Sequence, residues 1–279
     1  MKVAVCLFGR TGNVKGKVTL GEESCSEIID VAGPRFRDNI IGPNNADVFV
    51  HTWDTHLEDK MNDYLSPKDA LYEKQVVFDI PSHVKAGGAR EGEETRKQNH
   101  FSFWYSMMKS VEIKRLWEEK NGFKYDFVFL SRLDLAWENK KNFSELSTEE
   151  FYAGRWCQMK YNGRDVFSSS KGEYYEMLKT IPKEKFQHTH KFENRGDAGM
   201  CDLWFAGNTH DIDQFSKTYQ NLGEYLKPGN CPYAEQNISN HKLAKYSLKV
   251  LNILPRTKLI WHFVDDHPLI RGKYFGARG

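Results

Sequence analysis

No stretch of this 279-residue sequence approaches the roughly 18 to 20 consecutive apolar residues needed to cross a bilayer. The apolar opening Val3-Ala4-Val5-Cys6-Leu7-Phe8 is halted by Gly9-Arg10, too early for a secretion signal, and predicts a buried strand. Cysteine is scarce. The five present (Cys6, Cys25, Cys157, Cys201 and Cys231) are odd in number, scattered and without a C-x-x-C pair, which argues against a disulfide framework or a zinc knuckle and suits a reducing compartment. An excess of one charge is also missing. With 40 Lys and Arg against 38 Asp and Glu there is no polybasic stripe of the kind that condenses on nucleic acid. Gly9-Arg10-Thr11-Gly12 has neither the spacing of a P-loop nor that of a dinucleotide fingerprint, so kinase-type and dehydrogenase-type readings fall away. These absences lead us to expect a soluble, cytoplasmic protein with no nucleic-acid partner and no transmembrane segment.

What is present suits a globular chain with a sizeable core: 39% of residues are hydrophobic and 14% aromatic. Short runs rich in Val, Phe and Leu at Val3–Phe8, 47–51 and 125–130 alternate with helix-like stretches. That alternation predicts βα units, hence an α/β fold with a Rossmann-type, mostly parallel central sheet flanked by helices, in a single domain over 1–279. A helix is expected over 22–41, broken at Gly33-Pro34, with a turn at Gly42-Pro43-Asn44-Asn45. Polar, glycine-rich 84–95 predicts a surface loop, and 96–120 a long helix stopped by Asn121-Gly122. Further strands are expected at 151–157, 165–169, 201–206, 250–254 and 259–264, and further helices at 172–180, 211–225 and 234–246.

The segment from Tyr125 to Trp137 is the most informative. A buried strand ending in Arg132-Leu133-Asp134 delivers a cation and a carboxylate to the carboxyl edge of the sheet, where open α/β sheets bind ligands. The guanidinium suits a phosphate and the carboxylate a hard divalent ion, although an ordinary strand-end ion pair explains the residues equally well. After the first strand, Gly9 lets the backbone approach a ligand and Arg10 offers a charge, with a plain tight turn as the alternative. Thr52 ends the second strand between His51 and Trp53. On the long helix Asn99, Ser102, Ser106 and Lys109 recur at three- and four-residue steps and form one polar face. Asp202 opens a strand, Glu235 a late helix, and His262 lies within an apolar strand. For Glu235 a helix cap is the alternative to a catalytic base.

The order and spacing of these pieces resemble glycosyltransferases of the GT-A fold found in viral and bacterial surface-glycan gene sets. The likeness rests on Phe8-Gly9-Arg10, on Ala46 to Trp53, which includes Thr52, on Asn99 to Lys109, on Tyr125 to Leu135, on Asp202-Leu-Trp-Phe-Ala-Gly207 and on Glu235-Gln236. It implies a GT-A-like fold whose residues 1–137 hold a nucleoside diphosphate sugar and whose residues 138–279 hold a glycan acceptor. Phe8, Gly9, Arg10, Thr52, Lys109 and Arg132 would surround the donor. Asp134 and His262 would bind a divalent metal, Mn2+ or Mg2+, and Glu235, with Asp202 second, would be the catalytic base. In one place the sequence departs from the family: the usual Asp-x-Asp is Arg132-Leu133-Asp134 here, and the missing first carboxylate weakens the case for a metal. Two other readings stay open, a metal-dependent nucleotidyl- or phosphotransferase and a noncatalytic glycan-binding protein on the same scaffold.

Overall fold

The chain opens with β1 (Val3–Phe8), buried at all six positions. A computed structural model describes residues 1–14, 21–86, 92–166, 172–190, 199–230 and 237–275. After β1 come α1 (Ser26–Phe36), α2 (Gly42–Asn44), β2 (Asp47–Thr52), α3 (Glu58–Leu65) and β3 (Asp69–Tyr72). The long helix α4 (Glu93–Asn121) leads into β4 (Phe127–Arg132), β5 (Phe151–Arg155), β6 (Cys157–Tyr161) and β7 (Arg164–Val166). The chain continues through α5 (Glu173–Met177), β8 (Gln187–His190), β9 (Trp204–Gly207), α6 (Thr209–Ser216) and α7 (Thr218–Tyr225). It closes with α8 (Asn240–Val250), β10 (Thr257–His262) and α9 (Ile270–Lys273).

Among the described residues, seven strands form the central sheet in the order β10-β5-β9-β4-β1-β2-β3, and β7-β6-β8 form a small second sheet. Within the larger sheet β4, β1, β2 and β3 run parallel, as do β10 and β5, and β9 is antiparallel to both its neighbours. The result is a Rossmann-like α/β fold. Alternate side chains of each strand reach opposite faces. Val3, Val5 and Leu7 join one core with Ile28, Ile29 and Phe36 of α1, and Ala4, Cys6 and Phe8 join the other with Trp104, Met107 and Val111 of α4. A helix is needed on each face because a strand buried on both sides has two apolar surfaces to cover. No helix among the described residues is long and apolar enough to cross a membrane.

Several expected elements take a different form. α1 runs straight through Gly33-Pro34 and is followed by a π-helical stretch at Arg37–Ile41. The absent side chain is what packs there, since a Cβ on Gly33 would lie 2.5 Å from the Tyr64 ring. Gly42-Pro43-Asn44 forms one more helical turn, ended by Asn45 in the left-handed region. The strand expected at 151–157 is two strands in two sheets, with Trp156 at the corner between them. The helix expected at 211–225 is two, α6 and α7, joined at Lys217. No strand forms at 250–254: α8 ends there and Asn252 turns left-handed (φ 57°). The start of the helix expected at 234–246 lies partly outside the described residues, as does most of 165–169, and the described helix begins at Asn240. Of the expected loop, Val84 and Ala86 are buried and Glu93 already belongs to α4.

Candidate functional site

The sheet order positions the site. From β1 the chain steps to β2 and β3 on one side, whereas β4 pairs with β1 on the other, so the winding reverses between β1 and β4. Parallel strands that diverge in this way leave a crevice beyond their carboxyl ends. Phe8 is paired with Arg132 at the last rung, so Gly9-Arg10 and Leu133-Asp134 leave the sheet side by side. A cleft of about 410 Å³ opens there, lined by both of these segments and by Asn99, Ser102 and Phe103 of α4.

At Gly9 the backbone takes φ 92°, a region L side chains avoid, and a Cβ would meet nothing within 4 Å, so the main chain faces open space. Its N–H donates to Ser106 Oγ at 2.7 Å. Ser106 in turn contacts His51 Nδ1 at 2.7 Å, and His51 Nε2 lies 2.9 Å from Glu73 Oε1. Burial holds the His51 pKa below its ordinary value, with Glu73 pulling the other way. Arg10 is tied down: Nε donates to Asp54 Oδ1 at 3.1 Å, Nη1 to Gln75 Oε1 at 3.3 Å, and Nη2 to the Glu22 carbonyl. Asp54, fully buried, also accepts from Thr11 N at 2.7 Å, so this carboxylate shapes the loop.

Arg132 and Asp134 form a two-pronged pair, Nε to Oδ1 at 2.9 Å and Nη2 to Oδ2 at 2.5 Å. A third partner comes from the far end of the chain, Arg271 Nη1, 3.4 Å from Asp134 Oδ2. The backbone brings it there. Leu269 bridges Leu135 antiparallel, Ala136 N donates to Pro268 O at 2.9 Å, and Ile270 N to Asp134 O at 3.1 Å. Burial works against the Arg132 charge, but Asp134 and Asp202 outweigh it and hold its pKa above the ordinary value. For Arg271 burial wins and the pKa is lowered, Asp134 opposing and Arg132 adding to the fall.

A second polar group lining the cleft is Asp202 with His241. His241 Nδ1 lies 2.9 Å from the Met200 carbonyl and 3.3 Å from Asp202 Oδ1. A carbonyl can only accept, so Nδ1 carries a proton and donates it to the Met200 carbonyl. Gly199 makes this approach possible: a Cβ there would lie 2.4 Å from the His241 carbonyl carbon and oxygen. Trp156 packs against the imidazole with ring centroids 5.5 Å apart.

Of the residues expected from the sequence, the cleft brings together Phe8, Gly9, Arg10, Arg132, Asp134 and Asp202. Three others do not line it. Thr52 is buried at the end of β2, its hydroxyl accepting from Asp54 N and its carbonyl from Glu73 N. Lys109 pairs with Glu112 at 2.7 Å and lies over the Tyr105 ring. His262, on β10, stacks on His188 with centroids 4.9 Å apart. Glu235 lies outside the described residues. The cleft also uses Arg96, His241 and Arg271, which sequence reasoning did not select. Extending the polar face of α4 back one turn from Asn99 reaches Arg96. Nothing local marks His241 or Arg271, whose places depend on contacts 39 and 137 residues away in sequence.

The donor set does not fit the divalent metal that the resemblance implies. Mg2+ commonly takes one or two protein carboxylates and completes its shell with waters and substrate phosphates, so the protein must offer at least one carboxylate free to face the ion. Among the described residues no group of three or more His, Cys, Asp or Glu side chains could hold one, and the oxygens of Asp134 face two guanidinium groups. A scan against protein-family models and a search of curated proteins both return no match.

Proposed function

We propose that this chain is a GT-A-type glycosyltransferase that moves a sugar from a nucleoside diphosphate sugar to a hydroxyl of a glycan acceptor. One observation supports the reading above others: a single cleft at the switch point of the sheet joins an open glycine backbone and half-buried arginines with a carboxylate–imidazole pair. The arginines suit the diphosphate leaving group, and Trp53, Phe103 and Trp156 supply flat apolar surface for a base or a sugar ring.

In this reading His241 Nε2 takes the proton of the acceptor hydroxyl while Asp202 and the Met200 carbonyl hold Nδ1–H in place. The hydroxyl oxygen bonds to the anomeric carbon, the bond from that carbon to the phosphate oxygen breaks, and the electron pair leaves on the diphosphate. Positive charge fixed in the cleft before reaction is the main source of leaving-group stabilisation. The protein then returns to its starting state by losing the proton to water.

Thermal denaturation with UDP, GDP and the bare nucleosides tests donor binding, because a ligand of the native state raises the midpoint. We expect UDP or GDP to stabilise more than its nucleoside, and a matching nucleotide sugar to release diphosphate when acceptor oligosaccharides are supplied. Stabilisation by oligosaccharide alone would replace this reading with a noncatalytic glycan-binding one. Turnover of a nucleoside triphosphate would replace it with phosphoryl or nucleotidyl transfer.

A further inference from the structure

Asp134 is 5% exposed at its side chain and lies between two guanidinium groups. A guanidinium has five N–H donors. Arg132 uses two on Asp134 and Arg271 uses one, and neither makes another side-chain hydrogen bond among the described residues. Arg271 is 13% exposed at its side chain, and its remaining nitrogens, like that of Arg132, have no protein acceptor among the described residues. Charged donors that the protein leaves without an acceptor are open to the acceptors that an anionic ligand supplies. Both side chains line the cleft. A divalent ion bound to Asp134 would instead sit beside two positive groups and compete with both for one carboxylate.

We propose that the cleft binds its diphosphate without a divalent cation, on the unused donors of Arg132 and Arg271, and that Asp134 is the residue that positions the two guanidinium groups. The planar forks match phosphate oxygens, and two fixed charges do the neutralising that a metal does elsewhere. Asp134 is thus an internal counter-ion that aims the arginines. The C-terminal segment 268–271, zipped along 134–136, is the part of the fold that completes the site. Only the identity of the anion rests on the glycosyltransferase reading; the arginine notch does not.

Calorimetric titration of the full chain with UDP, GDP and inorganic pyrophosphate, in EDTA and then in Mn2+, tests this. The expected result is tight binding of a nucleoside diphosphate in EDTA with no gain from Mn2+. Arg271→Gln should weaken it on the order of tenfold to a hundredfold. Arg271→Lys keeps the charge and the buried stem, so it guards against misfolding, and it should still lose affinity because an ammonium lacks the fork. Asp134→Asn, which removes the counter-ion that aims both guanidinium groups, should weaken anion affinity in EDTA with no added effect of Mn2+, whereas loss of a metal ligand would leave affinity in EDTA unchanged and lower it only in Mn2+. Binding that requires Mn2+, affinity unchanged in a folded Arg271 variant, or no binding by any of the three anions overturns the proposal. Pyrophosphate binding that depends on Arg271, without UDP or GDP binding, sustains the notch and overturns the nucleotide-sugar reading instead.

Discussion

Arg10, Arg132 and Arg271 line one cleft, yet their surroundings give them different work. Arg10 has Asp54, Gln75 and the Glu22 carbonyl on its three nitrogens and so braces a loop. Arg132 and Arg271 share one carboxylate and face the cleft with donors to spare. Arg132 and Asp134 were legible because both follow one buried strand. Which reading of that pair applied was not, because the second arginine arrives from the other end of the chain. His241 is the sharper case: its chemistry depends on the Met200 carbonyl and Asp202, and an isolated histidine on a polar helix gives no hint of either. If it is the base, His241→Ala should lower transfer by roughly a hundredfold to ten-thousandfold while UDP or GDP affinity stays at the wild-type level. Added imidazole should restore part of the rate. Asp202→Asn, which leaves the Met200 contact in place, should cost less. A parallel fall in nucleotide affinity would move His241 to the donor side or to a structural role.

At the scale of elements, legibility followed burial. The runs that became β1, β2 and β4 are apolar on both faces and were readable as strands, and α4 ends where Gly122 takes the left-handed C-terminal position (φ 68°). β3 and β8 were missed because Asp69–Tyr72 and Gln187–His190 are only four residues long, the second of them wholly polar, and both owe their form to a neighbouring strand. Within α4 two charged residues, Lys114 and Glu118, are both fully buried. Lys114 Nζ is 3.2 Å from Glu118 Oε2, 2.8 Å from Asp213 Oδ1 and 2.5 Å from Thr209 Oγ1, so it joins α4 to α6. The lysine compensates two carboxylates at once. Replacing it with Met keeps the volume and leaves Lys124 as the remaining cation on Glu118 among the described residues, beside the hydrogen bonds from Tyr125 N and Thr209 Oγ1. Lys114→Met should therefore cost about 3–5 kcal/mol in urea unfolding, the usual penalty for breaking one partner out of a buried ion pair. Adding Glu118→Gln to that variant should recover part of the loss. If Lys114→Met leaves the urea midpoint unmoved, the network contributes specificity and not stability.

For the whole molecule, stability couples to pH through the aromatic core that backs the cleft. His267 is fully buried, stacks on Trp137 at 5.1 Å and meets Trp204 edge-on at 5.7 Å. Neither of its ring nitrogens has a hydrogen-bond partner among the described residues. Asp266 favours the charged imidazole, but burial dominates, with Lys141 and His262 adding to it, and the pKa falls from 6.5 to about 3. In the unfolded chain the ring takes up its proton near pH 6.5, and in the folded chain only near pH 3. Between those values the unfolded state binds the extra proton, so stability rises with pH and this contribution is complete above pH 6.5. The expected outcome is a thermal midpoint that is level above that pH and falls as the solution is acidified toward pH 4. Carboxylates paired in the fold add to the fall, so the diagnostic comparison is with His267→Phe, which keeps a flat ring against Trp137 and cannot titrate. That variant should flatten the slope between pH 6.5 and pH 4. Its midpoint at neutral pH should change little, because two buried nitrogens without partners are removed along with the polar contacts they could have made. An unaltered slope in a folded His267→Phe protein would place the acid sensitivity on other groups, with His51, also held low by burial, the next to replace.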